Sequence, residues 1–132
     1  FFKLNLDGAE LQSGSFTASD FRDCSLKNAD LRAGKFRYAK FNRVLMNNVD
    51  LSPLEFESAD GSKRLQASDL RNGIFCFSSM RGADLRYCDF READLSYVDF
   101  TDADLSHADL RGALLNKTIL DRAILKETIL NV

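Results

Sequence analysis

From Phe1 to Phe56, and again from Leu65 to Leu130, every fifth residue is large and apolar, a period that neither a helix nor a flat strand can bury. The first run comprises Phe1, Leu6, Leu11, Phe16, Phe21, Leu26, Leu31, Phe36, Phe41, Met46, Leu51 and Phe56. The second, one residue out of phase, continues through Leu65, Leu70, Phe75, Met80, Leu85, Phe90, Leu95, Phe100, Leu105, Leu110, Leu115, Leu120, Leu125 and Leu130. A helix turns about 100° per residue, so a five-residue step rotates each centre by about 140° and smears the large residues around the cylinder. In a flat strand an odd period sends successive centres to opposite faces. A chain that turns a corner once per repeat meets both conditions, because each centre then points inward from a new wall.

Two residues before each centre the chain prefers a small side chain, as at Ala29, Gly34, Ala39, Cys88, Ala93 and Ala103; Leu4, Leu54 and Lys63 are exceptions. One residue before it, Asp recurs at Asp20, Asp30, Asp50, Asp69, Asp84, Asp89, Asp94, Asp99, Asp104 and Asp109. Bulky centres would fill the axis while small residues fit where backbone crowds it. Walls stacked coil on coil at about 4.8 Å make a solenoid.

Ala83-Asp84-Leu85-Arg86, Ala93-Asp94-Leu95-Ser96, Ala103-Asp104-Leu105-Ser106 and Ala108-Asp109-Leu110-Arg111 resemble the A(D/N)LXX signature of pentapeptide-repeat proteins. The resemblance covers nearly the whole chain. It implies an all-β fold, a right-handed quadrilateral β-helix with four pentapeptides per coil. Residues twenty apart would then stack, and about 25 repeats would give about six coils, near 30 Å long at the strand spacing. On that rule Phe1, Phe21 and Phe41 share one wall, Phe16, Phe36 and Phe56 a second, and Leu6, Leu26 and Met46 a third. The expected organisation is a single solenoid over 1–132, interrupted by a loop at about 57–64. Phe1 and Val132 both fall in mid-register, so the chain reads as a fragment of a longer one, in which targeting signals are not assessable.

The 18 basic and 20 acidic side chains nearly cancel to a net charge of −2, which argues against direct nucleic-acid binding. No run of about 20 apolar residues exists, so no membrane-spanning helix is expected. Three cysteines, Cys24, Cys76 and Cys88, have no ligand spacing, and Cys24 and Cys88 occupy the small inward position. These two read as reduced core residues, which fits a reducing cytoplasm.

Three stretches depart from the pattern. Glu57, Asp60, Lys63 and Arg64 lie in the polar break between the two registers, either a tolerated insertion or a partner-contacting loop. Ile74, Phe77, Tyr97 and Leu114 fall at outward positions, with Phe77 stacking beside Tyr97 and Ile74 sharing a wall with Leu114. Such a strip marks a contact surface, unless Phe77 merely folds over a coil edge. Finally Leu114, Ile119, Ile124 and Ile129 replace the Asp before the last four centres, as a covered final coil would require. We read there a C-terminal cap contact or a homodimer surface; in the family that this chain resembles, some members dimerise through that end.

Chemistry is harder to find. His107 lies between Asp104 and Asp109 in sequence, but neighbours in a tight coil point to different walls, with Tyr87 and Glu127 as the expected stacking partners. The Asp series recurs once per repeat and so serves the corner, accepting backbone N–H bonds, while the Arg two residues on compensates its charge. We expect no catalytic residues, no metal and no cofactor. The expected role is a non-catalytic scaffold for protein–protein interaction. The resemblance implies one alternative, a DNA-mimicking binder of DNA gyrase or another type II topoisomerase, of the quinolone-tolerance type, and the mid-register ends suggest another, a targeting or binding module of a bacterial effector. The compensating arginines count against mimicry, which needs a net negative field.

Overall fold

The computed structural model describes residues 3–130, and in it the backbone climbs by isolated parallel bridges between residues twenty apart. The bridges form four ladders. The first wall runs Asn5, Ser25, Leu45, Ser79, Asp99, Ile119, and the second Glu10, Asp30, Asp50, Asp84, Asp104, Ile124. The third wall runs Ser15, Lys35, Asp69, Asp89, Asp109, Ile129, and the fourth Asp20, Lys40, Ile74, Asp94, Leu114.

The repeat Ala93–Tyr97 shows why five residues suffice for a wall and a corner. Ala93 N–H closes the preceding turn onto the Phe90 carbonyl at 3.0 Å, and Asp94 N–H bonds Gly73 in the coil before at 2.9 Å. Leu95 and Tyr97 N–H bond Leu114 and Asn116 in the coil after, both at 2.9 Å. Ser96 N–H is left, and the Asp94 carboxylate takes it at 3.0 Å. The next turn closes from Val98 N–H to the Leu95 carbonyl at 3.2 Å, with its third residue, Tyr97, at φ 59°. That is the positive φ that a type II turn demands at this position. It recurs at every described corner of the coil, and Gly8, Gly82 and Gly112 meet it at least steric cost.

Inward, ring lies upon ring. Phe21, Phe41 and Phe75 stack at 4.8 and 4.9 Å between centroids, and Phe16 lies on Phe36 at 5.3 Å. The two columns meet edge to face, as at Phe36 and Phe41, 5.6 Å apart and inclined by 65°. The small position two residues earlier leaves room: a Cβ on Gly34 would sit 2.1 Å from the Phe36 ring. At Thr118, Thr128 and Ser78, where that position is polar, the coil beneath satisfies it. Thr118 and Thr128 hydroxyls donate to the Leu95 and Leu105 carbonyls at 2.8 and 2.7 Å. Ser78 donates to the Phe41 carbonyl and accepts Val44 N–H at 3.1 Å, standing in for that turn's own bond.

Two centres expected from the period are not centres. The excursion begins and ends outside the expected 57–64, as an antiparallel hairpin of β1 (Leu54–Glu57) and β2 (Lys63–Gln66). Phe56 and Leu65 lie on it, 45% and 57% exposed. Phe56 pairs with Arg64 and Glu55 with Leu65, so both apolar residues are used in hairpin pairing and not in the core. The place over Phe36 goes to Leu70, and the stacking interval becomes 34 across the hairpin, as in Lys35 with Asp69, before returning to twenty. The exceptions Leu54 and Lys63 follow from the same fact, since neither is a coil position. Phe1 lies outside the described residues.

Phe41→Ala removes the middle ring of a three-ring column and is expected to cost about 3–5 kcal/mol. Phe56→Ala on the hairpin is expected to stay within about 0.5 kcal/mol. Paired urea denaturation of the two variants checks the assignment of both residues.

Candidate functional site

With every centre turned inward, contact with another molecule depends on what the walls and corners present. On the fourth wall and the corner after it, Phe77 and Tyr97 stack at 4.7 Å, inclined by 12°. They are 59% and 46% exposed, and φ is positive at both, 64° and 59°. A bulky residue in that region is a local conformational cost of the order of 1 kcal/mol, which Asn28, Asn48 or Gly82 at the equivalent corner positions avoid. Ile74 is half-buried, and its ladder continues through Asp94 to Leu114, 54% exposed. Ile74, Phe77, Tyr97 and Leu114 are therefore brought onto one side of the rod, with Asp94 between the two aliphatics.

The expected loop residues are divided. Glu57 and Lys63 pair across the hairpin, Arg64 pairs with Phe56, and Lys63 Nζ meets Glu55 at 3.2 Å. Asp60 organises the hairpin's tip. It accepts the Ser58 and Ser62 hydroxyls at 2.5 and 2.6 Å and the Ser62 N–H at 3.0 Å, which holds its carboxyl down to about 2. The row Ile119, Ile124 and Ile129 is exposed on the first, second and third walls, one on each, with Leu125 and Leu130 half-open at the same end.

The Asp series serves the corner at each of its ten positions. Asp20, Asp30, Asp50, Asp69, Asp84, Asp89, Asp94, Asp99, Asp104 and Asp109 each accept the N–H two residues on, at 2.9–3.3 Å. Where that residue is Arg, its guanidinium also grips the carboxylate. On the third wall Arg71, Arg91 and Arg111 hold Asp69, Asp89 and Asp109 at 2.7, 2.7 and 2.6 Å. Arg71 and Arg91 also reach the Asp one coil up, at 3.6 and 3.9 Å, so the charges form a continuous alternating ladder. Arg22 pulls the Asp20 carboxyl down to about 2, and Arg32 and Arg111 depress Asp30 and Asp109.

His107 stacks on Tyr87 at 4.6 Å, and its Nδ1 lies 3.1 Å from Glu127, the partners that twenty-residue stacking implies. Burial pushes the thiols of Cys88 and Cys76 up, away from the reactive thiolate. Among the described residues no group of three or more His, Cys, Asp or Glu converges as a metal site, and no helix is long and apolar enough to cross a membrane. One cluster escaped the sequence reading: Lys35, Arg37 and Lys40. Its signal was available, since Lys35 and Lys40 stand where other repeats place Asp.

A β-solenoid laid in five-residue steps, with a paired Asp at its corners, defines a class of proteins. The family described as pentapeptide repeats matches in eight copies over residues 15–52, 24–60, 64–96 and 93–131, and the chain belongs to it; its fold is a right-handed β-helix. The chain is similar to a pentapeptide repeat protein from the thylakoid lumen of Arabidopsis thaliana, at 19% identity and a TM-score of 0.69, over 82% of this chain and 66% of that one. It thus spans just under two thirds of that protein's length. It is also similar to Rfr23, a pentapeptide repeat protein of the cyanobacterium Cyanothece 51142, at 20% identity and a TM-score of 0.54, over 98% of this chain and 90% of that one. At these identities the likeness concerns the fold alone. QnrB1, a plasmid-mediated fluoroquinolone resistance protein, overlays at a TM-score of only 0.42 and 13% identity, over 96% of this chain and 72% of that one, too loosely to carry an argument. No curated protein sequence matches the chain.

The depressed carboxyls set an acid limit. A group whose folded pKa is lowered stabilises the fold above its unfolded value near 4 and loses that contribution as pH falls through the folded value. The melting temperature is therefore expected to be level between about pH 7 and 5 and to fall between about pH 4 and 2. Thermal unfolding across that range checks it, and Asp20→Asn should flatten part of the fall.

Proposed function

We propose that the chain is a non-catalytic scaffold whose outer surface docks another protein, a rod of quadrilateral section and about six coils. The four ladders and their twenty-residue period support that shape. The observation that carries the function is the Phe77–Tyr97 stack. Two aromatic rings stand in solvent at backbone positions that disfavour them, beside the aliphatic Ile74 and Leu114. Aromatic residues so placed are enriched among those that dominate protein–protein binding energy. The interior is filled by the centres themselves, and the outward carboxylates are engaged by backbone N–H groups and arginines, which supports a structural reading of both.

DNA mimicry of the gyrase-binding kind draws less support. It needs an uncompensated row of negative charge, whereas the third wall alternates Asp with Arg along its length.

Replacing Phe77 and Tyr97 together by Ser removes both rings. Loss of the stack is expected to cost no more than about 1.5 kcal/mol of stability. Capture of partner protein should fall at least tenfold, read by affinity capture from cells of the source organism with wild type and double variant as paired baits. Undiminished capture of every protein held by the wild type would remove this surface from the reading.

A further inference from the structure

Among the described residues nine of the eleven arginines meet an acidic partner, and of the other two, Arg64 projects from the hairpin while Arg37 lies on the coil. In six repeats an Arg following its centre meets an Asp two residues earlier, with Nε to one carboxylate oxygen at 2.8–2.9 Å and Nη2 to the other at 2.6–2.8 Å. The backbone N–H of the Arg completes the cradle. Arg37 has the same place in its repeat, but Lys35 stands where the Asp would be. The acid whose charge Arg37 does feel, Asp69 on the next coil, is already held by Arg71 at 2.7 Å. Arg37 lies over the Tyr38 ring at 5.5 Å, with its Nε shielded from water and without a hydrogen-bond partner. Such an unmet donor is unfavourable, and turning the half-buried guanidinium outward onto a carboxylate would satisfy it.

Lys35 and Lys40 are exposed on the third and fourth walls on either side of Arg37, and among the described residues no ion pair reaches either of them. Lys35 and Lys40 have Asp69 and Asp20 as ladder neighbours, but those carboxylates are held by Arg71 and Arg22, whereas beyond Arg43 the chain carries 15 acidic and 10 basic residues. The patch is thus local on a rod that elsewhere repels a long polyanion. Its position along the rod matters equally. Lys40 is the direct ladder neighbour of Ile74, one strand spacing of about 4.8 Å away, so the basic patch runs into the aromatic strip without a gap.

We propose that Lys35, Arg37 and Lys40 bind the carboxylates of an acidic peptide segment of a partner protein, whose adjoining apolar residues lie on Ile74, Phe77 and Tyr97. The other repeats supply the template, because they show what this cradle holds when it is filled. The apolar half rests on the docking role proposed above; the carboxylate half stands without it.

The probe is a hexaglutamate peptide titrated into 15N-labelled protein, with Arg Nε–H and backbone N–H signals read by NMR. Saturable shifts are expected at Arg37, with those at the clamped Arg71 and Arg91 at least tenfold smaller. Lys35→Asp restores an internal carboxylate and should weaken binding at least tenfold without lowering the melting temperature. Arg37→Lys keeps the charge but loses the fork, and should weaken it at least threefold. A second peptide extended by Gly-Leu-Phe at either end should bind at least tenfold tighter, a gain that Phe77→Ser abolishes. No shift at Arg37, binding unchanged in Lys35→Asp, or equal binding of a single-stranded dT6 oligonucleotide would each overturn the carboxylate site. Hexaglutamate binding with no gain from the extension would overturn the apolar half and leave the carboxylate site standing.

Discussion

Each repeat has five backbone N–H groups, and on a chain this tightly coiled none can be left to chance. One closes a turn, one bonds the coil before, two bond the coil after, and the fifth points outward at the corner with no main-chain acceptor in reach. An outward Asp takes that last donor, which is why Asp recurs where solvent would accept many polar residues. The need is for a short acceptor two residues upstream, and Asp meets it with little side-chain entropy. Asn5 does the same for Asp7 N–H at 3.0 Å.

The guanidinium pairs that decorate those carboxylates follow from the corner and do not found it. Exposed pairs of this kind contribute about 0–1 kcal/mol each. Their larger effect is on the field around the rod, since a wall of stacked aspartates becomes nearly neutral once Arg71, Arg91 and Arg111 are laid against it. Departures from neutrality then carry meaning. Lys35, Arg37 and Lys40 make the lower part of the third and fourth walls basic, next to an apolar strip on the same side.

The aromatic core fixes register in the same indirect way. A column such as Phe21, Phe41 and Phe75 rewards stacking only if coils stay aligned, and it survives the hairpin because the 14 residues added to the stacking interval, 34 less 20, leave and return at one corner. The hairpin hydrogen-bonds within itself and so takes no donor from the coil. Interruption of a solenoid is tolerated where it is self-contained and the ladder above meets the ladder below in phase.

The solenoid was legible in the chain because a five-residue period needs a corner in every repeat to bury each centre; the twenty-residue stacking, and with it the facing of Phe77 on Tyr97 and of His107 on Tyr87 and Glu127, followed from the family that the repeats resemble. The limits of the excursion were not. Phe56 and Leu65 continue the period in spacing and type, and only cross-strand pairing with Arg64 and Glu55 shows that they left the coil before the pattern ended. The pairing state of Arg37 was also beyond reach, since which carboxylate each Arg takes depends on distances of a few ångström between coils. Sequence by itself determined the repeat, the inward residues outside the hairpin and the acceptor at the corners that carry Asp, all of which are local and periodic. Tertiary structure alone decided where the hairpin starts and which charges remain unmet, because both depend on competition between groups far apart along the chain.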